Sequence, residues 1–249
     1  MNSTLNRETT KQVVAAAIFT AFLFILGSRF SNAESVHPSD AIQKPGDKLH
    51  SAGPAAMARP RYTVSISPDQ GLPNYDLLVS SNSRGEVATQ MYLNDYWGTS
   101  LPCVVSRKAT NFLSTLGGRD GSAYALNNHG QVVGGSYTAD YRWHACMWEK
   151  GKVRDLSSGF PGMSQAFSIN EKGQAVGFAL DSPYLDVWLW LYAVLWQDGE
   201  SYNLNDCIDH DLAWRLWQAE RITDRGEIYV LGFLWSGELK MFLLTPDKS

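Results

Sequence analysis

The sequence predicts an all-β chain, a small β-propeller of about four four-stranded antiparallel blades. Three observations lead there. A turn of one pattern recurs four times, as Asn82-Ser-Arg-Gly85, Asn127-Asn-His-Gly130, Asn170-Glu-Lys-Gly173 and Thr223-Asp-Arg-Gly226, with the glycines 45, 43 and 53 residues apart. Between the turns lie short runs rich in Val, Ile, Ala and aromatic residues, bounded by Gly, Asn and Asp, which is how strands read. Four antiparallel strands in a unit of about 40–50 residues make a propeller blade.

At the N-terminus, Arg7 and Lys11 precede an uncharged run at 13–26, and Ser31-Asn32-Ala33 offers small residues for cleavage before Glu34. This reads as a signal peptide over 1–33, since a membrane span needs about 20 apolar residues and Arg29 interrupts the run. Retention as an uncleaved anchor is the competing reading. Residues 34–60, rich in Pro, Ala, Gly and Ser, have too little to bury and read as a flexible linker. The folded domain is expected over 61–249.

Within that domain, Ala123, Ala166 and Ala219 each stand seven residues before the turn glycine. After it, Gly130-Gln-Val-Val-Gly134 matches Gly173-Gln-Ala-Val-Gly177, and His144-Ala-Cys-Met-Trp148 matches Tyr192-Ala-Val-Leu-Trp196. An Asn-x-x-Gly turn suits a hairpin, because Asn favours the first position of a type I turn and Gly accepts the positive φ that follows. Gly85, Gly130, Gly173 and Gly226 are therefore structural turn residues. In the second copy strands are expected near 122–128, 131–138, 142–149 and 152–157. The fourth copy has strands near 218–224, 227–235 and 238–245 and lacks a fourth. Arg61-Tyr-Thr-Val-Ser-Ile-Ser67 alternates well and can supply it, so the last blade is expected to be closed by the N-terminal strand, leaving no open edge.

The string Ser114-Thr-Leu-Gly-Gly118 through Gly134, the His144–Trp148 segment, Asn203-Leu-Asn205 to Ala219 and the ending Phe242-Leu-Leu-Thr-Pro246 resemble the bacterial "probable extracellular repeat, HAF family". Copy one departs from the pattern at Ser81, Thr89 and Cys103-Val-Val-Ser106. The resemblance implies an exported protein of propeller-like architecture, secreted or periplasmic, and brings no catalytic residues with it.

The charge balance excludes some partners. Lys and Arg total 21 against 25 Asp and Glu, a net of −4, and removal of 1–33 takes it to −6. Nucleic acid is not an expected partner, since its phosphates call for a basic surface. No stable membrane insertion is expected after signal cleavage. Cys103, Cys146 and Cys207 show neither a metal nor a redox spacing, and the first two read as buried small hydrophobes. No HExxH, GxSxG, GxGxxG or P-loop pattern occurs, so no cofactor and no catalytic residue are assigned.

Two segments compete for a binding role. The 205–217 loop, where the repeat lengthens, joins Asp206, Asp209 and Asp211 to Trp214 and Trp217 as possible ligand contacts. Carboxylates orient hydroxyl or ammonium groups and rings attract cations; the plainer reading is a wet acidic loop. Val187-Trp-Leu-Trp-Leu-Tyr-Ala-Val-Leu-Trp196 reads either as an aromatic platform or as a strand covered on both faces. The expected function is non-catalytic binding or structural interaction outside the cytoplasm, with an unknown glycan or protein partner. The rival is a secreted propeller hydrolase with its site at the channel mouth or in the 205–217 loop.

Overall fold

The computed structural model describes residues 59–66, 80–93, 95, 98–157, 160–181, 191–209, 214–234 and 239–247. All of them belong to one compact unit, 54–249. The expected signal peptide, 1–33, and nearly all of the expected linker, 34–60, lie outside the described residues. So do Asp211, His210 and 182–190, which includes Trp188 and Trp190.

Fifteen strands are found among the described residues, and no α-helix. They are β1 (Tyr62–Ile66), β2 (Val87–Tyr92), β3 (Ser100–Val105), β4 (Thr110–Phe112), β5 (Gly117–Leu126), β6 (Val132–Thr138), β7 (Trp143–Glu149), β8 (Lys152–Asp155), β9 (Ser164–Ile169), β10 (Ala175–Leu180), β11 (Leu191–Gln197), β12 (Glu200–Asn203), β13 (Trp214–Ile222), β14 (Ile228–Leu234) and β15 (Leu239–Pro246). They form four antiparallel sheets that follow the repeats: β2-β3-β4, β5-β6-β7-β8, β9-β10-β11-β12 and β13-β14-β15-β1. The arrangement is consistent with a propeller. The first sheet shows three strands, and ahead of β2 only a bridge between Ser81 and Val87 marks the place of another.

In the fourth sheet β1 runs antiparallel to β15, with Tyr62 opposite Pro246 and Ile66 opposite Phe242. Polar ties fix this pairing at one end. The Asp247 amide donates to the Arg61 carbonyl at 3.0 Å, and the Thr63 hydroxyl to Asp247 at 2.8 Å.

Each repeat turn closes in the same way. The Gly130 amide donates to the Asn127 carbonyl and the Asn127 amide to the Gln131 carbonyl, and Gly130 takes φ +81°. A Cβ there would be penalised by backbone conformation alone, because nothing lies within 4 Å of it. The second glycine of the motif has another reason. At Gly177 a Cβ would run into the Gln165 carbonyl, where the β9–β10 register shifts between Val176 and Gly177. A missing side chain lets the two strands meet at the bulge.

Three hydrophobic clusters fill the spaces between successive sheets. Ala88 packs with Ala123, Leu126, Cys146 and Trp148 between the first and second sheets. Ala145, Met147, Ala166, Tyr192, Val194 and Trp196 join the second to the third. Val176, Ala193 and Leu195 meet Leu216, Ala219, Ile222, Val230 and Phe242 between the third and fourth. The recurring alanine is small because the inner strand of each sheet is closely packed there; Ala123, Ala166 and Ala219 are all buried. Strand β11 has one face in the second cluster and one in the third, so Leu191 to Trp196 are buried throughout. That accounts for a run without polar alternation.

The expectation of a loop over 205–217 needs correction. Leu204–Cys207 is a 3-10 turn, and β13 already begins at Trp214. Trp214 and Trp217 thus stand on a strand, drawn there by pairing with β14, where Trp214 lies opposite Leu234.

Candidate functional site

The acidic segment after β12 is built around Asn205. Its side-chain oxygen accepts from the Leu216 amide at 2.8 Å, and its side-chain nitrogen donates to the Leu216 carbonyl at 2.8 Å. One amide thereby reproduces a β-ladder pair and fastens the segment to β13. Ahead of it, Asn203 accepts from the Asn205 amide at 3.0 Å and caps the 3-10 turn.

The carboxylates of this segment face the N-terminal strand. Arg61 donates to Asp209 at 2.6 Å, and Arg59 lies 3.9 Å from Asp206. Both pairs are solvent-exposed, so each contributes little to stability. Beneath them Cys207 is buried and donates to the Asn203 carbonyl at 3.3 Å. Burial pushes its thiol up to about 12, with Asp206 adding to the rise and Arg59 and Arg61 opposing it. Tyr62 is likewise pushed up to about 12, by burial first and then by Cys207. Neither group is an activated nucleophile or base in this setting.

Trp217 is half-buried, packs edge-on to Phe233 with ring centroids 6.4 Å apart, and keeps its indole nitrogen buried without a hydrogen-bond partner. The structure thus brings Asp206 to Arg59 and Asp209 to Arg61, and places Trp217 on β13 next to Leu216, which Asn205 holds. Asp211 lies outside the described residues.

The repeat turns form a second polar assembly. Asn82, Asn127 and Asn170 occupy the same position of successive turns. In each, Oδ1 accepts from two amides of its own turn, and Nδ2 donates to the Glu or Gln four residues on. The second hydrogen on Nδ2 crosses to the next repeat. It reaches the Asn127 carbonyl from Asn82 at 3.5 Å, the Asn170 carbonyl from Asn127 at 3.0 Å and the Thr223 carbonyl from Asn170 at 3.0 Å.

A second rung runs outside it. Ser83 donates to Asn128, Asn128 to Glu171, and the Glu171 amide to Asp224. In this ladder each Asn is saturated as donor and acceptor. Where Asn82 and Arg84 donate to Glu86, its carboxyl is held below the usual range.

His144 is the one buried imidazole described. Its Nδ1 lies 2.8 Å from Asp155 Oδ2, while Asp155 Oδ1 accepts from the Ser157 amide at 2.7 Å. Its Nε2 is buried and has no hydrogen-bond partner. This pair was not singled out by the sequence, because the two residues become neighbours only through the β7–β8 hairpin, where Cys146 stands opposite Asp155. Burial raises the Cys146 thiol well above its ordinary value, with Asp155 adding to it. Among the described residues, no group of three or more His, Cys, Asp and Glu could hold a metal ion. No helix among them is long and apolar enough to cross a membrane.

No protein-family model matches the chain. No curated protein matches it either.

Proposed function

We propose that this chain is an exported repeat protein of the kind its repeats resemble, the HAF family, and that it acts by binding outside the cytoplasm. In this reading it is a four-bladed propeller whose last blade is completed by β1, and its partner is a glycan or a protein.

The observation that carries a binding role is the turn ladder. The Asn that recurs in three of the four repeats is saturated in bonds that hold one repeat to the next, so the repeat is a scaffold element. The ring reading adds a fourth interface to the three observed between successive sheets. β2 and β3 pack on β5, β6 and β7 on β9, and β10 and β11 on β13. Leu231 and Met241, paired on the face of the fourth sheet turned away from Val230 and Phe242, are buried yet belong to none of the three clusters. A fourth interface, from the last sheet to the first, would account for their burial.

Mass spectrometry of the exported protein is expected to find Glu34 at the N-terminus. The secreted chain, applied to arrays of glycans and protein fragments, is expected to be retained by one class without altering it. Recovery of the chain with Met1 in the membrane would refute export by cleavage. Product formation on the arrays would refute the binding role.

A further inference from the structure

We propose that the described residues at the tips of the β2–β3 and β6–β7 hairpins form a docking surface for a neutral polysaccharide. This rests on the binding reading above and assigns it a place and a ligand class.

Among the described residues five large apolar side chains are exposed, and four of them stand on these two tips: Met91, Tyr92, Leu93 and Tyr141. The two tips lie at one end of neighbouring sheets, opposite the turn ladder. They are joined by the start of β5, where Gly117 pairs with Thr138 of one hairpin and Asp120 accepts from the Ser100 amide of the other at 2.9 Å. Three residue steps of about 3.3 Å put these anchors within about 10 Å of each other. Tyr92 is opposite Ser100, and Tyr141 is three residues beyond Thr138. A polysaccharide chain running across this end of the two sheets meets both tips.

Tyr141 is also in an uncommon backbone state. It is 80% exposed and takes φ +62°, in a turn whose Tyr141 amide donates to the Thr138 carbonyl at 3.0 Å. The turn repeats the geometry of Asn127–Gly130, with an aromatic residue in the place of glycine. An aromatic residue there is disfavoured and gains nothing from burial. The turn is nevertheless firmly braced. Asp140 accepts from Thr138 at 2.6 Å and from Arg142 Nε at 2.8 Å, and the Arg142 amide donates to the Thr138 hydroxyl at 3.0 Å. The ring is held out on a rigid support, so little entropy is lost when a partner meets it.

The surrounding charges select the partner. Arg142 pairs with Asp140, Arg119 with Asp120, and Asp95 accepts from the Thr99 amide at 2.8 Å. The signs are interspersed and the whole chain is slightly acidic, so this surface offers no field for a polyanion. Flat rings stack on the C–H faces of sugars, and side chains of both signs exchange hydrogen bonds with hydroxyls, which donate and accept alike.

The test is native-gel retardation of the full secreted chain in xylan, laminarin and hydroxyethyl cellulose, with pelleting on chitin and cellulose. Tyr141→Gly suits the φ, so its melting temperature should hold or rise, and loss of binding cannot then be due to unfolding. Tyr141→Gly and Tyr92→Ser are each expected to weaken retardation at least tenfold, while His129→Ala, on the opposite end, leaves it unchanged. Equal retardation of wild type and both tyrosine variants would overturn the site and leave the binding role standing. Retardation or pelleting by none of the polymers would overturn the ligand class, and a protein captured through Tyr92 and Tyr141 would replace it. New reducing ends in the polymers would overturn the binding role itself.

Discussion

The side-chain nitrogen of Asn127 lies 3.0 Å from the main-chain carbonyl of Asn170, the residue at its own position in the next repeat. Asn127 is buried and the other polar contacts of its side chain are within its own turn. One side chain therefore shapes a hairpin and ties two sheets. Asn127→Ala removes both functions and leaves turn amides unsatisfied, and we expect a loss of about 2–4 kcal/mol in urea unfolding. Asn82→Ala should lose less, since Asn82 is half-buried and its cross-repeat contact is 3.5 Å long. Equal losses would mean that the cross-repeat bond contributes nothing.

The two glycines of the motif should respond differently to a methyl group. Gly130→Ala meets open space and adds only the penalty of φ +81°, about 1 kcal/mol. Gly177→Ala drives its Cβ into the Gln165 carbonyl at the bulge and forces the strands apart, for about 3 kcal/mol or more. Thermal melting of the two variants ranks them, and a larger loss at Gly130 would contradict this account.

These two positions also show how far the sequence could be read. The first glycine and its Asn define a turn through local geometry, which a four-residue pattern carries. The repeat spacing then gave the number of sheets, and the alanine seven residues earlier marked the packed inner strand. The links between repeats were not legible, because Asn127 and Asn170 are 43 residues apart and only folding brings them together. The same holds for the acidic segment: Asp206 and Asp209 read as a cluster awaiting a ligand, while Arg59 and Arg61 reach them from nearly 150 positions away. The exposed tyrosine at Thr138-Ala-Asp-Tyr141 did leave a signal, an aromatic residue where the parallel turns have glycine.

Strand β1 covers the edge of β15 from Phe242 to Pro246. A chain beginning at Arg59 keeps that cover, and one beginning at Ser67 exposes the β15 edge to other molecules. Size-exclusion chromatography should find the first monomeric and the second aggregated or without a cooperative melt. Matching elution and melting of the two chains would show that the fourth sheet does not depend on β1.

Alkaline stability follows from the buried acids. Cys207 is pushed up to about 12, and so are Tyr62 and Tyr124, in each case chiefly by burial. In the unfolded chain the thiol releases its proton near pH 8.5 and the phenols near pH 10. Between those values and about 12 the folded state holds more protons than the unfolded one, so stability falls as pH rises. The urea midpoint should be flat from pH 7 to 8, decline from about pH 9, and steepen above pH 10. Cys207→Ala should delay the first part of the decline, and an unchanged slope in that variant would assign it to other groups.

The last expectation separates the two halves of the acidic segment. Asp209 meets Arg61 at 2.6 Å, but its side chain is 93% exposed, and such a pair is screened by water and salt. Asp209→Asn should therefore leave the melting temperature nearly unchanged. Asn205 bonds the amide and carbonyl of Leu216, a residue fully buried in the cluster between the third and fourth sheets. Asn205→Ala leaves both backbone groups without their partner and loosens the entry to β13, for about 2–3 kcal/mol. Asn205→Asp keeps the acceptor, loses the donor to the Leu216 carbonyl and sets a charge against it, so it should not restore stability. If Asp209→Asn instead destabilised as much as Asn205→Ala, the segment would be held by its ion pairs, and its carboxylates could not also serve a ligand.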